Sequence, residues 1–342
     1  MTGPAIDRRT VLAGGAALAG SSLLGGPARA AGSMTAAIYP GTWDEAYRRI
    51  VAPILKAKHG VDIGFEPLFA VDQLAKVAAA RGVSPFDALV LDPGPRAAGI
   101  ERGLFAPFDP SKLTNADKIP PGYADKYGAA VNAQIVGIVY NPKKLPKPKS
   151  WLDLFEEPYV SRLGLTGFQT TFGTVSLIEM AKKLGGSDTD MEPLFAAMKK
   201  ILPKVAAVTS PAALPGLFQQ GQIDVSYTNT NNVASLQARG VDIDIAFPDS
   251  GAITFITTLH IAKGAENVAA AYQYIDAALS AEAQAALMKP PANMIPVNKS
   301  VKLEGLSIAS LDELSKFVSH DWSKINPQRA AWIERFNKEV TK

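Results

Sequence analysis

The sequence predicts an α/β protein built from two lobes. Its 342 residues, of which 47% are hydrophobic and 20% charged, can bury an ordinary core and favour two domains. Short apolar runs alternate with helical patterns, as where the run 34–38 is followed by the amphipathic stretch 42–59. This order is typical of a sheet that carries helices on both faces. The pattern changes near Asn132 and then repeats, which predicts a second α/β unit.

The individual elements are predicted from hydrophobic periodicity. Apolar residues recur at helical spacing from Tyr47 to Leu55, so residues 42–59 are expected to form a helix with one buried face. The first unit should then continue with strand, helix, strand and helix at 61–65, 71–81, 88–91 and 93–102. The second unit should begin with an apolar strand at 135–140 and place further strands near Leu163, Val205, Val225 and Ile243. The chain should close with a strand at 253–261, helices at 268–279 and 281–288, and a mainly helical segment at 307–340.

Composition excludes several functional classes. The chain has no cysteine and three histidines, so we expect neither a thiolate nucleophile nor a metal centre, and no cofactor. Lys and Arg number 35 against 32 Asp and Glu, without a long basic block, so nucleic acid is not expected as a partner. The strings G-x-S-x-G, H-E-x-x-H and the phosphate-binding Gly-Lys-Ser/Thr loop are absent, which makes an enzyme a weak interpretation.

Residues 1–30 are predicted to be an export signal. Arg8 and Arg9 precede an uncharged stretch at 11–24, and Ala28-Arg29-Ala30 fits an A-x-A cleavage site, so we expect cleavage after Ala30. The paired arginines favour the twin-arginine route, with an ordinary Sec signal as the alternative. The apolar stretch is too short to span a bilayer. These features predict a soluble protein of the periplasm without membrane insertion.

Three segments carry a resemblance to a known family. They are Gly137-Ile-Val-Tyr-Asn-Pro142 with the following Ser150-Trp-Leu-Asp-Leu154, then Phe247-Pro-Asp-Ser-Gly251 before an apolar strand, and the Ala-rich stretch 270–284. In order and spacing they resemble bacterial solute-binding family 1, in its polyamine, iron and thiamine branch. The resemblance implies the substrate-binding protein of an ABC importer, which binds a small-molecule solute and transiently contacts an inner-membrane permease. We expect it to act as a monomer.

The resemblance also implies the type II periplasmic binding protein fold, with mixed sheets, helices on both faces and a ligand cleft between the lobes. Lobe 1 would comprise residues 34–135 plus 252–298, and lobe 2 would comprise 138–249 plus 300–342. The hinge strands would lie near 135–140 and 250–258. Both segments are apolar and are well placed to cross between the lobes.

Most candidate ligand-binding residues lie where predicted strands end, because loops and helix N-termini offer free N–H groups there. Phe255 and Thr257 are instead expected on one face of the strand 253–261, and Asn293 at the later crossing between the lobes. Thr42 and Asp92 have an alternative role as helix caps, and Trp43 as a core residue. In the polar run that begins at Tyr227, one residue is expected to be an N-cap, and the others require a different reason. The candidates are Tyr39, Thr42, Trp43, Asp92, Phe168, Gln169, Thr170, Thr171, Tyr227, Asn229, Asn231, Phe255, Thr257 and Asn293.

The polar candidates favour an anionic or zwitterionic solute. Polyamine-binding members of the family use acidic side chains, but this chain has Phe255-Ile-Thr257 where those members show Trp-x-Asp, and the loops near Thr170 and Asn229 contain no acid. A lone Tyr227 also disfavours ferric iron. We expect a small carboxylate, phosphonate or zwitterion. Polyamine or thiamine is the alternative, and four acids could still turn inward: Asp44, Glu45, Asp92 and Asp249. An exported enzyme is the alternative from another class, and a receptor that presents its solute to a sensor is compatible with the transport role.

Overall fold

The computed structural model describes residues 32–306 and 308–341. The predicted signal peptide at 1–30 lies outside the described residues. The first part of the chain contains β1 (Ser33–Ile38), α1 (Thr42–Ala46), α2 (Ala52–His59), β2 (Asp62–Pro67), α3 (Ala70–Ala79), β3 (Ala88–Leu91), α4 (Pro93–Glu101), β4 (Ala124–Asp125) and β5 (Gly128–Tyr140). The middle part contains β6 (Gly164–Leu165), α5 (Thr171–Lys183), α6 (Glu192–Ile201), β7 (Ala207–Val208), α7 (Leu214–Gln219), β8 (Val225–Asn229), α8 (Thr230–Ala238) and β9 (Asp244–Ala246). The last part contains β10 (Ile253–Ile261), α9 (Val268–Leu279), α10 (Ala281–Leu287) and α11 (Trp322–Glu339).

A mixed sheet of eight strands runs through the molecule. Its order is β2-β1-β3-β10-β5-β4, and β8 and β9 also pair with β5. Pairing is parallel between β1 and its neighbours β2 and β3, whereas β10 is antiparallel to both β3 and β5. Strands that alternate with helices usually pair in parallel, as β1 does with β2 and β3. The long strands β5 and β10 change this, because their antiparallel pairing joins the two parts of the sheet.

Both long strands contribute to two separate hydrophobic cores. The first core, built around β1–β3, α2 and α9, includes Val131 of β5 and Leu259 of β10. The second core, built around α5, α6 and α11, includes Ile138 of β5 and Ile253 of β10. Every residue of β5 is buried, which explains its nearly continuous apolar sequence. We refer to the structure around each core as the first half and the second half.

The helix expected at 42–59 is present with a different start and an irregular middle. Gly41, with φ of 74°, is the N-cap residue of α1, and no side chain caps this helix end. Thr42 is therefore the first helical residue, and its predicted alternative role as a cap is wrong. A π-helical segment at Tyr47–Val51 joins α1 to α2. Segments of this kind are frequent at functional sites.

Helix α11 is attached to the second half and touches the first. Ile325, Trp332 and Phe336 pack into the second core, and Lys199 of α6 pairs with Glu339 at 2.9 Å. At its other end, α11 packs against α4 at Gly94. A Cβ atom on Gly94 would lie 2.7 Å from Cζ3 of Trp322, so this approach requires glycine. Within the described part of the chain, no helix combines the length and apolar character needed to cross a membrane.

Candidate functional site

A cavity of about 130 Å³ lies where five helices begin. Each helix follows a strand, in the pairs β1–α1, β2–α3, β3–α4, β6–α5 and β8–α8. The carboxyl ends of these strands therefore meet at one place, which is where α/β sheets bind ligands. Pockets for drug-sized ligands usually measure about 300–1,000 Å³, so this cavity suits a small solute. Both halves supply walls, since Tyr39, Trp43 and Phe69 come from the first and Phe172 from the second.

The structure brings many of the sequence-predicted residues to this cavity. Trp43 is buried and also packs in the first core, as the alternative interpretation expected. Asp92 occupies the N-cap position of α4, but its side chain forms no capping hydrogen bond. Thr170 and Asn229 do cap α5 and α8. The predicted residues that line the cavity are Tyr39, Trp43, Asp92, Gln169, Thr170, Thr171, Asn229 and Asn231.

Two predicted aromatic contacts are core residues instead. Phe168 is fully buried against Trp332 and Phe336, with ring centroids 5.5 and 6.2 Å apart. Tyr227 is fully buried as well, and its hydroxyl accepts a hydrogen bond from the amide of Thr166 at 3.1 Å and donates to the carbonyl of the same residue. Neither side chain lines the cavity. Tyr227 lies on strand β8, where alternate side chains point to opposite faces, so a polar sequence can still direct this side chain into the second core.

The remaining predicted residues also lie off the cavity wall. Phe255 packs in the second core, and Thr42 and Asn293 are partly buried without lining the cavity. Asn293 has φ of 47° and serves a turn in which its amide donates to the carbonyl of Lys289 at 3.1 Å. Thr257 lies one layer behind the wall, where its hydroxyl donates to Oδ1 of Asp92 at 2.8 Å. It positions a lining carboxylate and is not itself at the surface of the cavity.

Replacing Tyr227 with Phe tests this reassignment. The variant leaves the buried N–H and C=O of Thr166 unpaired, so the free energy of unfolding should fall by about 1–3 kcal/mol. Solute affinity should stay unchanged. Urea unfolding and isothermal titration measure the two quantities. Tyr274→Phe is the matched control, because that buried hydroxyl has no hydrogen-bond partner and its removal should cost nothing. A selective loss of affinity in Tyr227→Phe would place Tyr227 back in the binding site.

Asp92 is the only acidic side chain among the described residues that line the cavity. Burial raises its pKa from the usual range to about 6, although the hydroxyls of Thr257 and Thr171 and the charge of Arg329 each lower it. The carboxylate is therefore largely ionised at neutral pH. Its Oδ1 also accepts a longer hydrogen bond of 3.4 Å from Nε2 of Gln134. Both of these hydrogen bonds end on Oδ1, and the hydroxyls of Thr171 and Tyr39 also lie close enough to the carboxyl group to lower its pKa.

Arg329, on α11, is a cavity residue that sequence analysis missed. It is 7% exposed, and its Nε and Nη2 donate to the carbonyls of Phe168 and Gln169 at 2.9 and 2.8 Å. Nη1 has no acceptor among the described residues. Burial lowers its pKa to about 10, so the guanidinium remains charged at neutral pH. Nothing near Arg329 in the sequence distinguishes it from other basic residues of a polar helix. Only the packing of α11 brings it to the cavity.

Unpaired amide groups accompany these charges. The side chain of Asn231 is 5% exposed, lines the cavity and forms no hydrogen bond with any described residue. Oε1 of Gln169 is buried without a partner, while its Nε2 donates to Asn337 at 3.2 Å. Gln134, also missed from the sequence, accepts a hydrogen bond from Nδ2 of Asn229. Oε1 of Gln169 is enclosed beside Gly167, so Asn231 is the amide of this group that a polar ligand in the cavity would contact.

The fold and the cavity together define the class of two-lobed solute-binding proteins. Two α/β cores share two crossing strands, and the ligand-sized cavity lies where helices of both halves begin. The family model for bacterial extracellular solute-binding proteins matches residues 50–316, and the chain belongs to this family. The resemblance inferred from the sequence motifs is therefore confirmed. The family is described as bacterial extracellular solute-binding proteins, which is a binding role and not an enzymatic one.

Individual relatives carry different ligands in their names. The chain is 27% identical over 195 residues to the spermidine/putrescine-binding periplasmic protein of Escherichia coli, covering 52% of this chain and 53% of that protein. It is 24% identical to a gamma-aminobutyric acid-binding protein of Pseudomonas aeruginosa, with 59% and 60% covered. The chain thus spans little more than half the length of these curated relatives.

The fold itself is supported by solved structures. The binding protein AgtB of A. tumefaciens R10, solved in complex with agropinic acid, aligns over 91% of this chain and 99% of its own, with a TM-score of 0.75 and 19% identity. A likeness of this kind concerns the fold alone. It confirms the two-lobed α/β class that the sequence predicted.

Proposed function

We propose that the protein is the periplasmic solute-binding component of an ABC importer, which captures a small polar solute by hinge closure and delivers it to a membrane permease. The preferred solute carries a carboxylate or phosphonate group, alone or within a zwitterion. Family membership supports the transport role, and the relatives with polyamine and aminobutyrate ligands support a small organic solute. The lobes are proposed to comprise 34–135 plus 252–298 and 138–249 plus 300–342.

The observation that carries the proposed solute class is the positive electrostatic character of the cavity. Helices α3, α4, α5 and α8 each direct an N-terminus toward it, and each N-terminus acts as a partial positive charge of roughly half a unit. Arg329 adds a full positive charge. Free N–H groups and positive ends of helices are a common site for carboxylates and phosphates. One lining carboxylate, Asp92, opposes them.

Polyamine binding is the alternative and is less well supported by the acids of this chain. A diamine or triamine that leaves water needs several anionic partners. Of the four acids that the sequence left as candidates, Asp44 pairs with Arg48 at 2.8 Å and Glu45 lies 3.9 Å from Arg239. Asp249 is exposed and lies off the cavity wall. Asp92 alone lines the cavity, and it shares the wall with a buried arginine.

A thermal shift panel tests the proposed function. The mature chain, unfolded, stripped of ligand and refolded, is mixed with carboxylates, phosphonates, amino acids, polyamines, thiamine and ferric citrate. A ligand at a hundred times its Kd should add about 2.7 kcal/mol to the free energy of unfolding. We expect shifts from carboxylates, phosphonates or zwitterions. A shift from polyamines alone would overturn the solute class. A coloured or metal-containing preparation would favour an exported enzyme.

We also propose export through the twin-arginine route with cleavage near Ala30. The support is the Arg8-Arg9 pair and the A-x-A sequence at its end. Replacing both arginines with Lys should retain the precursor in the cytoplasm if this route is used. A Sec signal would tolerate the change, and N-terminal sequencing of the periplasmic protein would locate the cleavage site.

A further inference from the structure

We infer that the solute is a zwitterion of one amine and one carboxylate, with its ammonium group at Asp92 and its carboxylate at Arg329. The inference rests on the proposed function and narrows it to one of the three solute classes. It depends on the charge arrangement of the cavity, in which one buried charge of each sign lies on the wall without a charged partner.

Asp92 and Arg329 belong to different halves and do not form an ion pair. The two charges influence each other, because Arg329 lowers the pKa of Asp92. Yet no nitrogen of Arg329 lies within 4.0 Å of a carboxylate oxygen among the described residues. Buried charges are stable only when they are paired or well hydrogen-bonded. A solute that carries both charges supplies a partner to each of them at the same time.

The ammonium position is defined by Asp92 and the neighbouring aromatic rings. Oδ1 of Asp92 is held by Thr257 and Gln134, and the carboxyl group lines the cavity. Tyr39 and Trp43 line the cavity beside it with their rings edge to face, at 5.8 Å between centroids. The hydroxyl of Tyr39 accepts a hydrogen bond from the amide of Asp92 at 2.9 Å, which fixes the ring next to the carboxylate. Aromatic faces beside a carboxylate stabilise an ammonium group.

The carboxylate position is defined by Arg329 and two helix N-termini. Nη1 of Arg329 lies beside Gly94 on the first turn of α4 and has no acceptor in the described structure, while Nε and Nη2 are held by backbone carbonyls and keep the guanidinium in place. Helices α5 and α8 begin at the same wall. The side-chain amide of Asn231, in the first turn of α8, lines the cavity there and has no hydrogen-bond partner among the described residues. A guanidinium nitrogen together with N-terminal amides is a favourable environment for a carboxylate.

Solutes with only one kind of charge fit less well. A monocarboxylate satisfies Arg329 and leaves Asp92 ionised and unpaired. A monoamine does the opposite. A diamine brings a second positive charge toward Arg329 and the N-termini of α5 and α8, where like charges repel. Of these solutes, only a zwitterion gives both Asp92 and Arg329 a partner of opposite charge.

Isothermal titration with a matched set of four-carbon ligands tests the inference at pH 7.5. The set is 4-aminobutanoate, butanoate, butylamine and 1,4-diaminobutane, which differ only in their charged groups. Glycine, β-alanine, 5-aminopentanoate and the L-α-amino acids vary the distance between the charges. We expect one zwitterion to bind at least about tenfold more tightly than its singly charged analogues.

The variant Asp92→Asn should lose the preference for a zwitterion over a carboxylate. It should weaken zwitterion binding roughly ten- to a hundredfold while carboxylate binding stays equal or improves. Its melting temperature should not fall, because the amide removes a buried charge and can still accept the hydrogen bond from Thr257. Asp72→Asn is the matched control, since Asp72 is exposed on the first turn of α3 and lies off the cavity wall.

The pH profile provides a second readout. Wild-type affinity for a zwitterion should fall as the pH is lowered through about 6, because protonation removes the charge of Asp92. The groups that face Asp92 are Thr257, Gln134, Thr171, Tyr39 and Arg329, and the pKa values of Tyr39 and Arg329 lie far above this range. Affinity for a monocarboxylate should instead rise, and Asp92→Asn should abolish both trends.

The outcomes separate the inference from the proposed function. If no zwitterion of the set binds more tightly than the carboxylate of matching length, the zwitterion inference is overturned and a carboxylate-binding importer protein remains. Binding of another carboxylate or phosphonate from the thermal panel with no zwitterion bound would do the same. If 1,4-diaminobutane binds tightly and no carboxylate or zwitterion binds, both the inference and the proposed solute class are overturned.

Discussion

Replacing Arg329 with Gln should weaken solute binding by roughly two orders of magnitude, the largest effect expected for any single change at this site. The substitution removes the full positive charge of the cavity wall and leaves the solute carboxylate with helix N-termini alone. Isothermal titration measures the loss. Arg329→Lys should recover only part of it, because an ammonium cannot hold the carbonyls of Phe168 and Gln169 and reach the solute together.

Arg335→Gln is the matched control for this prediction. Arg335 lies on the same helix, six residues further along, where it pairs with Glu192 and Glu339 at the surface of the second half and lies 4.1 Å from the ring centroid of Phe195. Its loss should cost little stability and no affinity. Circular dichroism and the melting temperature of Arg329→Gln show whether the second half remains folded. A folded Arg329→Gln variant with unchanged affinity would contradict the assigned role of Arg329.

Replacing Gly94 with Ala should lower solute affinity by about tenfold or more, without removing any group that contacts the solute. The new Cβ would lie 2.7 and 2.8 Å from Cζ3 and Cε3 of Trp322 and 3.0 Å from Nη1 of Arg329, so α4 and α11 could no longer approach each other closely and the guanidinium would also have to shift. Since the two helices belong to different halves, we expect the closed arrangement to become less populated. Small-angle X-ray scattering should show a larger radius of gyration at saturating solute than for the wild type.

Two further variants make the Gly94 prediction specific. Gly216→Ala, in α7, meets no atom within 4 Å and should be neutral or slightly stabilising, by up to about 1 kcal/mol. Combining Gly94→Ala with Trp322→Leu makes room at the contact and should restore part of the affinity. If Gly94→Ala binds the solute as tightly as the wild type, the α4–α11 contact does not limit closure.

Local patterns in the sequence were sufficient for the class of fold and for most elements. The strands β3 and β10 and the helix α9 begin and end where their apolar runs begin and end. Strand ends also pointed correctly to the region of the cavity, because loops after parallel strands gather at one edge whatever their sequence. The long apolar run that forms β5 was predicted only in its second part, since its first part contains small residues with weak strand preference.

The roles of individual site residues depended on packing that no local pattern contains. Phe168 lies in a loop and Tyr227 on strand β8, both in polar sequence, yet both face the second core, and Thr257 lies behind the wall that Asp92 forms. Asp92 has the sequence position of a helix cap, but its carboxylate is drawn to Thr257 on a strand 165 positions away. Direction of a side chain is set by the neighbouring elements, and these are distant in sequence.

The sequence by itself determined an α/β chain of a solute-binding family, with a polar candidate site at the ends of its strands. These properties follow from hydrophobic periodicity and turn chemistry, which act over a few residues. Only the tertiary structure decided the charge of the cavity, because Arg329 reaches it from the last helix and meets Asp92 from the first half. A pair of charges 237 positions apart becomes one binding surface only when the two halves pack together.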